Sequence, residues 1–194
     1  MSQTTWVHRA ARWCVRPLVA TPVTPNHLTT LRLATGFAAA AAFAVGDRSW
    51  QNWAGTLFVL SAFLDRADGE LARISGKTSP LGHKYDMASD VASNVMAFAA
   101  IGIGLAHGPL GAWALVMGAV AAGAVGAIFW LVQLMSNEGE EFAGAGGFDP
   151  DDALFIVGPA AWLGLLAPLL YAAAIGAPLF LIYALWRYRA ARVR

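Results

Sequence analysis

The sequence predicts an all-α, polytopic membrane protein of about six transmembrane helices, preceded by an N-terminal interfacial amphipathic helix. Three observations carry that prediction. Hydrophobic residues make up 58% of the 194 and charged residues only 13%, too apolar a balance for a water-soluble globule of this length. Six runs, at 28–46, 51–75, 83–106, 109–136, 152–168 and 170–188, each approach the ~20 residues a helix needs to cross hydrocarbon. Basic residues gather at alternate ends of those runs. The length suits a single domain, 1–194, with the transmembrane bundle over 28–188 and no internal repeat.

Residues 5–19 read as the interfacial helix. At 100° per residue, Arg9, Arg12 and Arg16 fall within about 60° of one another, with Val7, Ala11, Cys14 and Leu18 opposite. Trp6 and Trp13 border the two faces, as suits a helix lying among headgroups. The first 27 residues contain no unbroken apolar core, being interrupted by Arg16, Pro17, Pro22 and Pro25, so no cleavable signal is expected. Cys14 is the single cysteine, which excludes a disulfide framework and a thiolate metal site.

The first span carries one charge, Arg32, a turn inside its start. An unpaired arginine there is costly, so Arg32 is expected to face a polar pocket. The second span begins apolar and ends in the charged stretch 65–73; Ser75, Gly76, Ser79, Pro80 and Gly82 then make a turn. The third to sixth spans are rich in Gly and Ala, which suits close helix contact, for example along the ridge Ala119, Gly123, Ala127. Asn137, Gly139, Gly144, Gly146, Gly147 and Pro150 mark 137–151 as a loop.

Orientation follows from the basic residues. Arg9, Arg12 and Arg16 precede span one, Arg73, Lys77 and Lys84 surround the turn after span two, and Arg187, Arg189, Arg192 and Arg194 follow span six. Only Arg48 stands near a span end on the other side. Both termini and the 2–3 turn are therefore expected in the cytoplasm, at an inner (plasma) membrane. The turns 47–53 and 107–111 should face outward, with Trp50, Trp53 and Trp113 as interfacial anchors. With net charge +1 and no long basic stripe, a nucleic-acid partner is not expected.

Every acidic residue except Asp47 falls in one of two groups on the cytoplasmic side: 65–90, and Glu138, Glu140, Glu141, Asp149, Asp151 and Asp152. The first is the informative one: Asp65-x2-Asp68-Gly69-x2-Ala72-Arg73-x8-Gly82-x3-Asp86-x3-Asp90. On a continuous helix Asp65 and Asp68 lie about 60° apart, and Asp86 and Asp90 about 40° apart. Two antiparallel helices joined by a short turn can thus aim four carboxylates into one cavity. Four carboxylates in a small volume cannot all stay ionised without cations. An all-oxygen set favours Mg²⁺, Mn²⁺ or Ca²⁺ over zinc. Two such ions can stabilise the attacking and leaving oxygens of an in-line displacement at phosphorus. Arg66 stands between two of the aspartates, as counter-charge or substrate contact. His8, His27 and His107 show no ligand spacing and are expected to lie outside the site, and His83 and Lys84 to be a solvated flank.

At every defined position this frame resembles the signature of the CDP-alcohol phosphotransferase family, and Pro25-Asn26-x-Leu28-Thr29 is similar to the family's usual lead into its first membrane helix. The resemblance implies transfer of a substituted phosphoryl group from a CDP-alcohol, above all CDP-diacylglycerol, to an acceptor alcohol, with release of CMP in phospholipid biosynthesis. It implies Asp65, Asp68, Asp86 and Asp90 as ligands of Mg²⁺ or Mn²⁺, with two ions, and Asp90 as the general base. It further implies Gly69, Ala72, Arg73 and Gly82 as the CDP-alcohol site, Arg73 serving as a phosphate clamp, and a homodimer in the membrane lipid.

A small CDP-alcohol donor with a lipid acceptor is the alternative within the family. A cation transporter would not require the glycine, alanine and arginine positions, and an intramembrane prenyltransferase spaces its aspartates differently. The segment after Asp90, Val-Ala-Ser-Asn, lacks the lysine or arginine that often marks members using phosphorylated acceptors. Six carboxylates in 138–152 beside the same mouth would likewise disfavour such acceptors.

Overall fold

The computed structural model describes residues 6–137 and 150–192, and among them every regular element is helical. The helices are α1 (Trp6–Val15), α2 (Pro25–Val45), α3 (Arg48–Ser75), α4 (Pro80–Ala106), α5 (Ala112–Asn137), α6 (Val157–Leu163) and α7 (Leu166–Arg192). Short 3₁₀ turns, Arg16–Ala20 and Pro150–Ile156, follow α1 and precede α6. Glu138, Glu140, Glu141 and Asp149 of the acidic segment lie outside the described residues.

Local chemistry sets the helix ends. Pro25 and Pro80 occupy the first turns of α2 and α4, where no amide partner is lost. Asp47 caps α3 by accepting from the Ser49 and Trp50 amides at 2.8 and 3.4 Å. Ser79 caps α4 by accepting from the Gly82 amide at 2.9 Å. Gly46, Gly76 and Gly164 close α2, α3 and α6 at φ of 78°, 67° and 76°, a region costly for any side chain.

Helix α2 packs on both α3 and α4; α4 and α7 flank α5, and α6 lies along α3. Phe43 and Phe58 meet edge to face, 6.5 Å apart, inside the main apolar core with Ile101, Leu166 and Leu170. The close helix contact lies at Gly102 and Gly118, where a Cβ on Gly102 would stand 2.8 Å from the Gly118 Cα. The ridge expected at Ala119, Gly123 and Ala127 makes no such contact: Ala119 and Gly123 are exposed, and nothing lies within 4 Å of a Cβ at Gly123.

Four helices are long and apolar enough to cross a membrane: Pro25–Val45, Pro80–Ala106, Ala112–Met135 and Leu166–Ala190. They cover the expected first, third, fourth and sixth spans. The expected second span is the 28-residue α3, long enough at about 1.5 Å per residue but diluted by polar residues at both ends. The expected fifth span is not one long helix. It divides into the 3₁₀ turn and the seven-residue α6, and Gly164 breaks the chain before α7.

The fifth segment runs between two fixed points. Leu154 and Phe155 line a cavity at Asp65 and Asp90, while Ala161 and Trp162 offer their carbonyls to Arg48, each at 2.5 Å, at the start of α3. The segment begins beside the acidic residues and ends at the start of α3. Arg48, the lone basic residue expected outside, is thereby committed to α6. The 47–53 turn is likewise shorter than expected, because α3 starts at Arg48. Trp50 and Trp53 stand on its first turns, and they are exposed, as is Trp113 on α5.

The N-terminal segment is helical over Trp6–Val15 only, and Pro17 then sits in the 3₁₀ turn. Its buried face is Ala11 and Val15, against Ala67 and Leu71 of α3. Cys14, expected on that face, is exposed. Arg9 stacks over the Trp6 ring at 4.7 Å, whereas Arg12 reaches inward to Glu70.

Candidate active site

The site forms where α2, α3 and α4 meet. Helix α3 continues unbroken through Asp65 and Asp68, and α4, opening at Pro80, presents Asp86 and Asp90 one turn apart. Carboxylate oxygens of Asp65, Asp68 and Asp86 lie within 4.8 Å of one another. Asp90 joins them through Arg32, whose Nη1 stands 3.4 Å from its Oδ1.

Arg32 is the hub. It is 1% exposed. Its Nη1 pairs with Asp65 and stands 3.0 Å from Asp86 Oδ1, while Nη2 donates to the Asp86 carbonyl at 2.6 Å. Arg66 donates to the second Asp65 oxygen at 2.6 Å, so it acts as a counter-charge in this arrangement. Thr29 donates to Asp68 Oδ2 at 2.8 Å, and Ser61 donates to the Arg32 carbonyl at 3.0 Å. Four carboxylates therefore face two guanidiniums, leaving an excess of negative charge.

That excess fits a divalent cation. The buried Asp86 Oδ1 meets only the Arg32 ion pair at 3.0 Å, outside hydrogen-bond alignment, and the donor set is all oxygen. Asp65, Asp68 and Asp86 are the residues that can hold such an ion, with Thr29 and Arg66 orienting two of them.

Two cavities open from the cluster. The outer one, about 200 Å³, is lined at its acidic end by Asp68 and Asp86, and elsewhere by Gly69, Ala72, Gly82, Asn26 and His83. His83, expected as a solvated flank, thus belongs to the cavity wall. A Cβ on Gly82 would stand 2.8 Å from Asn26 Oδ1, so this glycine lets α4 approach α2 closely. The inner cavity, about 30 Å³, has room for about one water-sized group. Asp65, Asp90, Arg66 and Asn94 meet Phe58, Phe129 and Phe155 there.

Arg73 lies beside the outer cavity, not in its wall. Its Nε donates to the Gly69 carbonyl at 3.2 Å, and its Nη2 pairs with Glu70 at 3.1 Å. Glu70 itself, at an undefined position of the aspartate frame, went unnoticed in the sequence, as did the roles of Thr29, His8 and Lys77. Lys77 Nζ holds the linker before α2 by donating to the Thr21 and Val23 carbonyls at 2.8 and 3.2 Å. The readable signal was small: an acidic residue three before Arg73, and His8 and Arg12 four apart on one helix face.

Comparison with known proteins agrees with this constellation. A curated relative from Cereibacter sphaeroides, a CDP-diacylglycerol–glycerol-3-phosphate 3-phosphatidyltransferase, is 41% identical over 78 residues, 40% of this chain and 35% of that protein. The chain thus spans about a third of that relative's length. The profile of the CDP-alcohol phosphatidyltransferase family matches residues 22–187, which takes in all four aspartates and both cavities, and the chain belongs to that family.

Proposed function

We propose that this protein transfers a substituted phosphoryl group from a CDP-alcohol, CDP-diacylglycerol first, to an acceptor alcohol, releasing CMP in phospholipid synthesis. The observation that carries the proposal is the placing of the carboxylate cluster between two cavities, Asp68 and Asp86 facing the larger and Asp65 and Asp90 the smaller. The donor lies in the outer cavity, its pyrophosphate at the cluster and its nucleotide along Gly69, Ala72 and Gly82, with Arg73 at the rim. The acceptor hydroxyl enters the inner cavity beside Asp90. Asp90 takes the hydroxyl proton, the freed oxygen bonds to the phosphorus carrying the alcohol, and the bridging bond to CMP breaks. A bound Mg²⁺ or Mn²⁺ ion, or two, would neutralise charge on the phosphate oxygens.

The proposal extends to position in the bilayer. The acidic cavities open at the end of the bundle rich in basic residues, which we assign to the cytoplasmic face of an inner membrane. The bundle crosses six times, with α3 and the 150–163 segment making the second and fifth passages, and α1 lies in the interface with Trp6 and Trp13 outward. Association as a homodimer belongs to the same reading.

The acceptor is open to direct assay. The curated relative is named for glycerol 3-phosphate, whereas the acidic 138–152 segment argues for an acceptor without its own phosphate. Purified protein in liposomes containing labelled CDP-diacylglycerol should convert the label to a new phospholipid when the right alcohol is supplied. Mass spectrometry across glycerol 3-phosphate, inositol phosphate, neutral polyols and amino alcohols identifies it. Absence of CMP with every acceptor and with small CDP-alcohols alike would defeat the proposal.

A further inference from the structure

We propose that Glu70 is a positioning residue: a buried latch that couples the docking of α1 to the placement of Arg73 beside the outer cavity. The inference rests on the donor-site reading of Arg73 given above. Glu70 is 0% exposed, a carboxylate fully buried near the end of α3. Such a group persists only if both oxygens are matched by cations or donors. Arg12 of α1 donates to Oε2 at 2.7 Å, and Oε1 stands 3.1 Å from both His8 Nδ1 and Arg73 Nη2.

Both carboxylate oxygens therefore meet α1, Oε2 through Arg12 and Oε1 through His8, and Oε1 also meets Arg73. The same helix rests Ala11 and Val15 on Ala67 and Leu71. Shared Oε1, the His8 ring at 3.4 Å and the Gly69 carbonyl fix Arg73, whose Nη2 lies 3.4 Å from where a Cβ on Gly69 would stand. Asp68 points the opposite way, to Thr29 on α2. The same short stretch of α3 thus serves the acidic cluster on one side and the α1 latch on the other. Removing either arginine takes a donor from this fully buried carboxylate and lets it shift toward the partners that remain, so α1 and Arg73 should respond to each other's loss.

The test uses the full-length protein with a spin label on native, exposed Cys14. Two variants break the latch, Glu70→Gln in the interior and Arg12→Met at its half-exposed edge, so a folding failure of the first leaves the second decisive. Each should increase label mobility and raise the KM for CDP-diacylglycerol roughly tenfold, with a smaller change in kcat. Combining Arg12→Met with Arg73→Lys should add little to the KM of Arg73→Lys alone, whereas a merely structural role would give additive effects. An unchanged label in Arg12→Met, or a free label with unaltered donor KM, would overturn the latch. Should the parent protein release no CMP, the functional reading fails. The label then decides the latch alone, because Arg73→Met must itself loosen α1 if the two share Glu70.

Discussion

Arg32 and Thr29 show how much of the site depends on single side chains outside the aspartate frame. Thr29 gives Asp68 its one neutral donor, at 2.8 Å, and groups of this kind typically alter metal affinity by about 10–100-fold. Thr29→Val is accordingly expected to raise the Mg²⁺ concentration for half-maximal turnover about tenfold at unchanged maximal rate, measured by metal titration. Asp90 differs from the other three because it stands outside the group of carboxylate oxygens within 4.8 Å of one another and meets Arg32 at 3.4 Å. Asp90→Asn should lower kcat by about 10²–10⁴-fold while donor KM and metal requirement hold, and equal loss of metal affinity would instead make it a ligand. The four aspartates were legible in the sequence because 3- and 4-residue spacings fix a helix face by themselves. Glu70 was not, since its partners His8 and Arg12 are 62 and 58 residues away and no local pattern records them.

At the scale of elements, hydropathy found the helices but misjudged two of their faces and one length. The α1 faces were read as basic against apolar, yet Arg12 turns inward because a buried carboxylate waits there, and Cys14 turns out. The 150–163 segment fell short of one long helix because a run of apolar residues does not record the 3₁₀ turn before α6 or the break at Gly164 after it. Helix contact was placed on the wrong glycine, since periodicity cannot distinguish a small residue facing lipid from one facing a helix. The structure makes that distinction testable. A side chain at Gly104 would run into the Phe43 carbonyl oxygen, whereas a Cβ at Gly123 meets nothing within 4 Å. Gly104→Val should therefore destabilise the bundle by about 1–3 kcal/mol, seen as a lower thermal midpoint in detergent, while Gly123→Ala leaves that midpoint unchanged.

Across the whole molecule, the proposed orientation rests on charge and apolar length together. The outer cavity is walled by the starts of α2 and α4 and the end of α3, so it shares a side with Lys77 and with the 3₁₀ turn after α1. In a Cys14→Ser background, Thr78→Cys should be modified by an impermeant thiol reagent only from the cytoplasm, and His107→Cys only from outside. The reverse pattern would invert the protein and move the site with it. The central claim is that the carboxylates of α3 and α4 form a divalent-metal site that drives transfer from a CDP-alcohol. Its most direct measurement is CMP release by the purified, reconstituted protein, with chelator, with restored Mg²⁺ or Mn²⁺, and in Asp65→Ala, Asp68→Ala and Asp86→Ala. The account predicts activity that vanishes in chelator, returns with either ion and is abolished in all three folded variants; undiminished CMP release in excess chelator, or in any one of those variants, would contradict it.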